Sequence, residues 1–432
     1  MPKTAAHVVR RRGRRDANGA FGLGTTTPNY AWDFVNNKAR FNNINYGALA
    51  NTPGWSFTRA STGYAQTSAG ALTAFASGEL RRTDKGVLIE GARTNLCLQS
   101  QTFENASWSK SFATVTADAA VAPDGTTTAD KLVEDSSAAQ QHRLNQTITV
   151  SNATAYTFSV YVKAAERLNI DMRISTATNV AAASFNLQAG TALTPASGTS
   201  SITALGNGWY RCSITGTSDS TTAILRINLG DTASNSGPAT YNGDGTSGIY
   251  LWGAQLEAAS FPSSYIPTTT ASATRAGDKP SIGSVTGLNY PITIYAEWEK
   301  NGDDPVGIYQ RVIEVGQTAA TDLATIYHRH SNGKLALYAT SNNSTVADLQ
   351  VGTASLNATM KTACRYATND FTGSLNGAAV QSDTLGAAPA IAPTNIYFGT
   401  NYNGDTPLFG YLRRAAIWPR ALTDAELQSV TT

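Results

Sequence analysis

Between Tyr156 and Gly230 the chain alternates apolar and polar residues with a period of two and changes direction at Gly, Asn and Ser. Tyr156, Phe158, Val160 and Val162 interleave with Thr157, Ser159, Tyr161 and Lys163. Leu168, Ile170, Met172 and Ile174 interleave with Asn169, Asp171 and Arg173. A Gly206–Asn207–Gly208 turn opens the segment Trp209–Thr215, and AILRINLG follows from Ala223. Successive side chains of a strand point to opposite faces, so this pattern predicts strands with one face in a core and one outside it. Short alternating strands divided by turn residues build antiparallel sandwiches. The C-terminal third has the same grammar. Ile292, Ile294, Ala296 and Trp298 line one face of a predicted strand, and Thr293, Tyr295, Glu297 and Glu299 the other; ATIYHRH, KLALYAT and NIYFGT predict later ones. The final segment, LFGYLRRAAIWPRALTDAELQSV, ends a strand at Ile417–Trp418 and starts a short helix, with Thr423 as N-cap and Glu426 at the third helical position.

A chain of 432 residues has room for two or three domains, each with its own core. A formal net charge of +2 excludes a polyanion binder that works through the whole chain. The abundance of Thr, Ser, Gly and Asn favours strands and turns over helices. Cys97, Cys212 and Cys364 are odd in number and far apart, so they supply neither a disulfide framework nor a zinc spacing, and each is expected as a small buried residue. No run approaches the roughly 18 apolar residues of a membrane span, so membrane insertion is not expected. The N-terminus is basic without a following apolar stretch, so a secretory signal is not expected either.

Four regions follow from these patterns. Residues 1–29 form a basic extended arm carrying Arg10, Arg11, Arg12, Arg14 and Arg15. Residues 30–100 form a small β-rich collar that leans on its neighbours, with Trp32, Phe34, Trp55 and Phe57 at period two. Residues 101–275 and 276–432 form the two sandwiches. The expected fold class is thus all-β: an N-terminal extended arm and small β collar followed by two antiparallel β-sandwich (jelly-roll) domains. At the boundary, GVLIEGARTNLCLQSQTFENASW from Gly86 to Trp108 predicts a buried strand, an Arg–Thr–Asn corner and the opening strand of a new unit. Glu90, Arg93 and Asn95 crowd against the apolar run Val87–Ile89. Polar groups in such a place need partners, so these three mark a hydrogen-bonded joint between two units.

The Gly86–Trp108 segment resembles the IE-x-A-R-T-N-L-L signature of tailed-bacteriophage tail, fibre and head-spike proteins. GDGTSGIYLWGAQLEAASFPSSYIPT, from Gly243 to Thr268, resembles a second stretch of the same family in the same order, and FTRAST at Phe57–Thr62 a third. FENASW and IYLWGAQLE look like the first and last strands of carbohydrate-binding-module jelly rolls. The C-terminal strand and helix are similar to those that close laminin-G-like, concanavalin A-like domains. These resemblances imply a structural protein of the phage particle surface, a fibre or spike synthesised in the host cytoplasm. They imply partners as well: other virion proteins (tail, portal-adaptor or capsid) held through the arm, and bacterial surface polysaccharide held through the sandwiches. A homo-oligomer such as a trimer is expected. A calcium ion pinning loops is also implied, with Asp303 and Asp304, or Asp244, as oxygen donors; no other cofactor is expected. Nucleic acid is not expected as a partner, because the chain beyond the arm has almost no net positive charge. The rival readings are a polysaccharide depolymerase on a concanavalin-type sandwich and a capsid decoration protein without receptor binding.

Catalytic chemistry is sparse. Glu297 and Glu299 sit at i and i+2, a spacing that suits the paired carboxylates of a glycosidase. The E-x-D-x-x-E pattern of hydrolases with the concanavalin-type fold is absent, and solvated acids on an outer strand face are the ordinary alternative. His328 and His330 share a face, with Asp322 as a candidate third ligand, but a polar surface strand is the ordinary reading and no metal centre is assigned. No nucleophile elbow or phosphate-cradling loop is present, so an enzyme is not expected. The polar side of the first sandwich is richer. By alternation Tyr161, Asp171, Arg173, Trp209, Arg211, Arg226 and Asn228 all point away from the core. Aromatic rings flanked by Arg, Asp and Asn suit a sugar, stacking on its C–H faces and forking hydrogen bonds to its hydroxyls. If their strands share one sheet, the seven make a shallow saccharide-binding groove; a solvated face, or one packed on a sister subunit, are the alternatives.

Overall fold

The computed structural model describes residues 21, 23, 26–232, 238, 240–302, 309–318, 321–329 and 333–432. Arg10, Arg11, Arg12, Arg14 and Arg15 of the expected attachment arm lie outside the described residues, as do Asp303, Asp304 and His330. Within them the protein is all-β and built of antiparallel sandwiches, with a 3-10 turn at Leu49–Asn51 and a helix at Asp424–Thr431.

One sandwich spans the middle of the chain. Its first sheet runs Ser109–Ser111, Arg143–Thr149, Thr222–Gly230, Asn169–Ser175, Asn179–Asn186 and Thr191–Ala192 in spatial order. Its second runs Ala113–Ala120, Ala129–Glu134, Gly248–Glu257, Ala155–Ala164, Trp209–Thr217 and Thr199–Gly206. The alternating apolar residues meet between them: Phe158, Val160 and Val162 from one side face Ile170, Met172, Ile174, Leu225 and Ile227 from the other. Cys97 and Cys212 are buried here and Cys364 in the other core, all three as free thiols.

The second sandwich is not continuous in sequence. Its larger sheet is centred on Ile292–Lys300 and Gly410–Trp418. The outer edge of Gly410–Trp418 is shared by two early strands: Tyr30–Asp33 pairs with Arg414 to Ile417, and Gly86–Ile89 with Gly410 to Leu412. In the facing sheet, Trp55–Thr58 pairs with Lys279–Ile282. Trp32 and Phe34, both fully buried, set their rings 4.9 and 5.4 Å from that of Phe398 in the common core. The collar expected over 30–100 does lean on its neighbours, but it is not a unit between two sandwiches: its outer strands complete the C-terminal sandwich, and the middle sandwich is inserted into it. The reason is one of size. Strands of three or four residues bury too little to sustain a core, and the open edges of a large sandwich supply the missing partner.

The chain leaves and re-enters through two adjacent strands, Arg93–Asn95 and Ala273–Arg275, which pair with each other. A hairpin, Gly63–Gln66 with Leu72–Phe75, folds over the second sheet of the inserted sandwich. Gly70 at its tip has φ +89°, and a Cβ there would stand 1.4 Å from the Leu205 carbonyl oxygen, so only glycine permits this approach. At the C-terminus the expected capping box is present. The Glu426 N–H donates to Thr423 Oγ1 (3.3 Å) and the Thr423 N–H to Glu426 Oε2 (2.8 Å). Leu427 and Val430 of the helix pack with Tyr295 and Trp418, and Phe21 and Leu23 of the arm join the same cluster.

Candidate functional site

Residues directly opposite each other on paired strands share a face, so the register reads out the surface of the first sheet of the inserted sandwich. One row across it is Ser111, Arg143, Asn228, Asp171 and Ser184; the next is Ser109, Asn145, Arg226, Arg173 and Ala182. Four of the seven expected sugar-contacting residues, Asp171, Arg173, Arg226 and Asn228, thus lie together. Asp171 organises them: it accepts hydrogen bonds from Arg173 Nε (2.8 Å), Asn228 Nδ2 (3.1 Å) and Ser184 Oγ (3.2 Å). Burial raises its carboxyl above the ordinary range, against the opposing pull of Arg173. Arg226 donates to Ser175 Oγ at 2.8 Å. Burial lowers the Arg226 guanidinium, and the neighbouring charges of Arg143 and Arg173 lower it further. Arg173 alone pairs with the Asp171 carboxylate; Arg226 and Arg143, the latter donating to Gln141 Oε1, stand on the same face without a carboxylate of their own among the described residues. Arg143 Nε, Asn145 Oδ1 and Asn228 Oδ1, all shielded from water, have no hydrogen-bond partner among the described residues.

Arg143 and Asn145 were not foreseen from sequence. The segment RLNQTIT does alternate, but Gln146 occupies an inward position where an apolar residue marks a strand more plainly.

The other three expected residues are elsewhere. Tyr161, Trp209 and Arg211 belong to the second sheet, on the opposite outer side of the sandwich, so the single seven-residue groove is not formed. Tyr161 and Trp209 are buried with Leu72, Trp252 and Tyr265 under the early hairpin. Trp209 Nε1 donates to the Val121 carbonyl at 3.1 Å. Arg211 lies 5.1 Å from the centre of the Tyr161 ring and donates to Ser263 O (2.7 Å) and Ser159 Oγ (3.0 Å). Alternation separates outward from inward; it does not say which sheet a strand joins, nor what another domain then covers.

The joint residues have dense surroundings. Glu90 accepts from Arg81 Nη1 (2.7 Å) and from Ser264 N and Oγ (2.9 and 2.6 Å), with Arg275 at 3.3 Å. Asp278 takes Arg59 Nη1 (3.1 Å), Arg81 Nη2 and the Glu90 N–H (3.0 Å). Burial works to raise the Glu90 carboxyl, but the charges of Arg275 and Arg81 and the Ser264 hydrogen bonds outweigh it and hold it at about 2. The buried Asn95 satisfies four backbone groups: Nδ2 donates to Ala254 O and Ile266 O, and Oδ1 accepts from Cys97 N and Leu256 N. Arg93 lays its guanidinium 4.5 Å from the ring centre of Phe409.

The residues considered for catalysis or metal have other engagements. Glu297 is not a solvated acid: Arg413 Nε and Arg414 Nη1 hold it at 3.1 and 3.0 Å. Glu299 pairs with Lys85 at 3.4 Å. His328 is fully buried, not on a surface strand, 3.1 Å from Gln310 Oε1 and 3.2 Å from Lys300 Nζ. Asp322 is six residues away along an extended strand, about 20 Å at the usual rise, where it accepts from Ser341 Oγ and the Ala390 N–H. Asp244 closes its own turn, accepting from the N–H groups and hydroxyls of Thr246 and Ser247.

Residues 298–428 match the family described as the Concanavalin A-like lectin/glucanases superfamily. That match lies within the C-terminal sandwich and leaves the inserted one outside. No curated protein sequence matches the chain. Among solved structures, the Ruminococcus gnavus IT-sialidase CBM40 bound to α2,6 sialyllactose is similar over 33% of this chain and 83% of its own, at 15% identity and a TM-score of 0.27. A Trypanosoma rangeli sialidase in complex with the inhibitor DANA is similar over 70% and 60%, at 10% identity and a TM-score of 0.29. Mouse laminin α1 domains LG4-5 are similar over 66% and 86%, at 11% identity and a TM-score of 0.20. At these levels the structural likenesses carry no argument about ligand or activity.

Proposed function

We propose that this chain is an adhesive structural protein of a tailed-phage particle that binds acidic polysaccharide of the bacterial surface through the first sheet of its inserted sandwich. The observation that carries the reading is the grouping of Arg143, Arg173 and Arg226 with Asp171 and Asn228 on two adjacent rows. Like charges held side by side oppose folding, and a bound anion relieves that cost. Guanidinium forks match the planar geometry of carboxylates, while the Asn amides serve sugar hydroxyls.

The match of residues 298–428 to a lectin-containing superfamily supports carbohydrate as the ligand class. The virion assignment rests on the phage-like segments Gly86–Trp108 and Gly243–Thr268, with the arm as the attachment to other virion proteins. A shallow face binds weakly per site, and many copies on one particle raise the avidity. Binding without turnover is supported by the Glu297 and Glu299 surroundings, because both acids are paired with cations.

The test is binding of the purified chain to acidic and neutral host polysaccharides by affinity electrophoresis. Arg173→Ala with Arg226→Ala is expected to lower affinity for the acidic polymer at least about tenfold, the loss of roughly one charged hydrogen bond. Wild-type protein that retains no acidic polymer would sink the proposal. Release of new reducing ends would replace it with the depolymerase.

A further inference from the structure

The outer side of the second sheet of the inserted sandwich faces the C-terminal sandwich across a cleft of about 560 Å³. That size falls within the range of small-ligand sites. One wall is the edge of the sheet, where cross-strand rows place Thr199 beside Thr215, Ser201 beside Ser213, and Thr203 beside Arg211. Inward residues of the same strands, such as Cys212 and Ile214, belong to the core, so this hydroxyl lining is the outward set. The facing wall carries Lys85, Glu299, Asn301 and Tyr411. Leu356, 52% exposed, and the half-buried Phe261 add apolar surface.

The charges of this cleft are spent within the protein. Lys85 and Glu299 pair with each other, Arg211 donates to Ser263 and Ser159, and Glu90 is held by Arg81 and Ser264. What remains for a ligand is a row of hydroxyls, of which Thr215 is shared with Thr157, together with amide groups and apolar side chains. Asn301 is an amide side chain of the facing wall. A neutral ligand with hydroxyls on one side and C–H groups on the other satisfies such a lining, and a charged one does not.

We infer that the cleft between the two sandwiches is a second saccharide site, which takes a neutral oligosaccharide and is independent of the arginine-bearing face. The inference rests on the reading of the chain as a glycan binder and extends it to another sugar chemistry and another place. Two sites of different charge on one chain let it hold acidic and neutral stretches of a host surface at once, with a gain set by their effective concentration.

The test uses the full chain and calorimetric titration into the millimolar range with hexasaccharides of glucose, galactose, mannose and N-acetylglucosamine, and with hyaluronan oligomers as an acidic probe. At least one neutral hexasaccharide is expected to bind, and Ser201→Trp to weaken it at least about tenfold, the equivalent of roughly 1.4 kcal/mol. Ser201 is exposed on an edge strand, so the indole fills the cleft without entering the core. Asn301→Ala serves as a second, smaller lesion and is expected to weaken the same probe. Arg226→Ala is expected to leave neutral binding unchanged while it lowers hyaluronan binding. Failure of every neutral probe, or neutral binding indifferent to Ser201→Trp and Asn301→Ala, overturns the cleft. Equal loss of neutral binding in Ser201→Trp and Arg226→Ala overturns it too, because the two sites would then be one. Hyaluronan binding indifferent to Arg226→Ala counts against the arginine-bearing face alone.

Discussion

Glu90 and Asp278 hold three arginines, Arg59, Arg81 and Arg275, in a space where every one of these side chains is at least nine-tenths buried. Buried ion pairs earn little net stability when complete, but they are costly to break. The pH dependence has a definite sign. Glu90 is held at about 2, below its ordinary value of 4.5, so the folded state takes up its proton less readily than the unfolded one. Its contribution is whole above the ordinary value and is lost as pH falls through the folded one. Urea unfolding between pH 5 and about 2 is expected to show stability falling by on the order of 3 kcal/mol from this group. Glu90→Gln is expected to start lower and to have a flatter slope; equal slopes for the two proteins would remove Glu90 from the account. Part of this cluster was legible. Glu90 stands in the sequence as a polar group against an apolar strand, which demands partners. Most of its partners were not legible, because Ser264 lies 174 positions and Asp278 188 positions from Glu90, and only the closed fold brings them together. The FTRAST and GARTN segments, two separate words in the sequence, flank one ion cluster.

Strands carry a different kind of information. Alternation at Tyr156–Lys163 and Ile170–Ile174 told correctly which residues enter the core, since that depends only on the period of the backbone; Leu168, just before the strand, stays half-buried outside it. It could not tell that these neighbours in sequence go to opposite sheets, which is why Tyr161 and Trp209 part from Asp171 and Arg226. The short early strands show the same limit. Trp32 and Phe34 read as half-buried residues of a small unit, yet both are fully buried in the core of the C-terminal sandwich. Trp32→Ala is accordingly expected to destabilise that sandwich by about 3–5 kcal/mol, the usual range for an aromatic lost from a core. Guanidinium denaturation followed by fluorescence would measure it. A loss below about 1 kcal/mol would mean that the early strands lie on the surface and do not build the core.

At the scale of the whole molecule, the arrangement is one sandwich that interrupts another. The match to the lectin-containing superfamily begins at residue 298, whereas the sandwich it belongs to begins with Tyr30. A linear reading divides such a domain, because the strands that close it are separated by the whole inserted unit. The paired strands Arg93–Asn95 and Ala273–Arg275 make this tolerable for folding: exit and return lie side by side, so the inserted sandwich can form without displacing the strands around it. Consequently residues 276–432 expressed alone lack Tyr30–Asp33 and Gly86–Ile89 along one strand, Trp55–Thr58 on the facing sheet, and Trp32, Phe34, Val87 and Ile89 from the core. An open edge beside exposed apolar residues aggregates. The fragment is therefore expected to be insoluble or to lack a cooperative melting transition. Supplying residues 26–90 on the same chain, joined by a short Gly/Ser linker in place of 91–275, is expected to restore solubility and a sharp melt. Size-exclusion chromatography and scanning calorimetry compare the two; a monomeric, cooperatively melting 276–432 fragment would show that the C-terminal sandwich does not need the early strands.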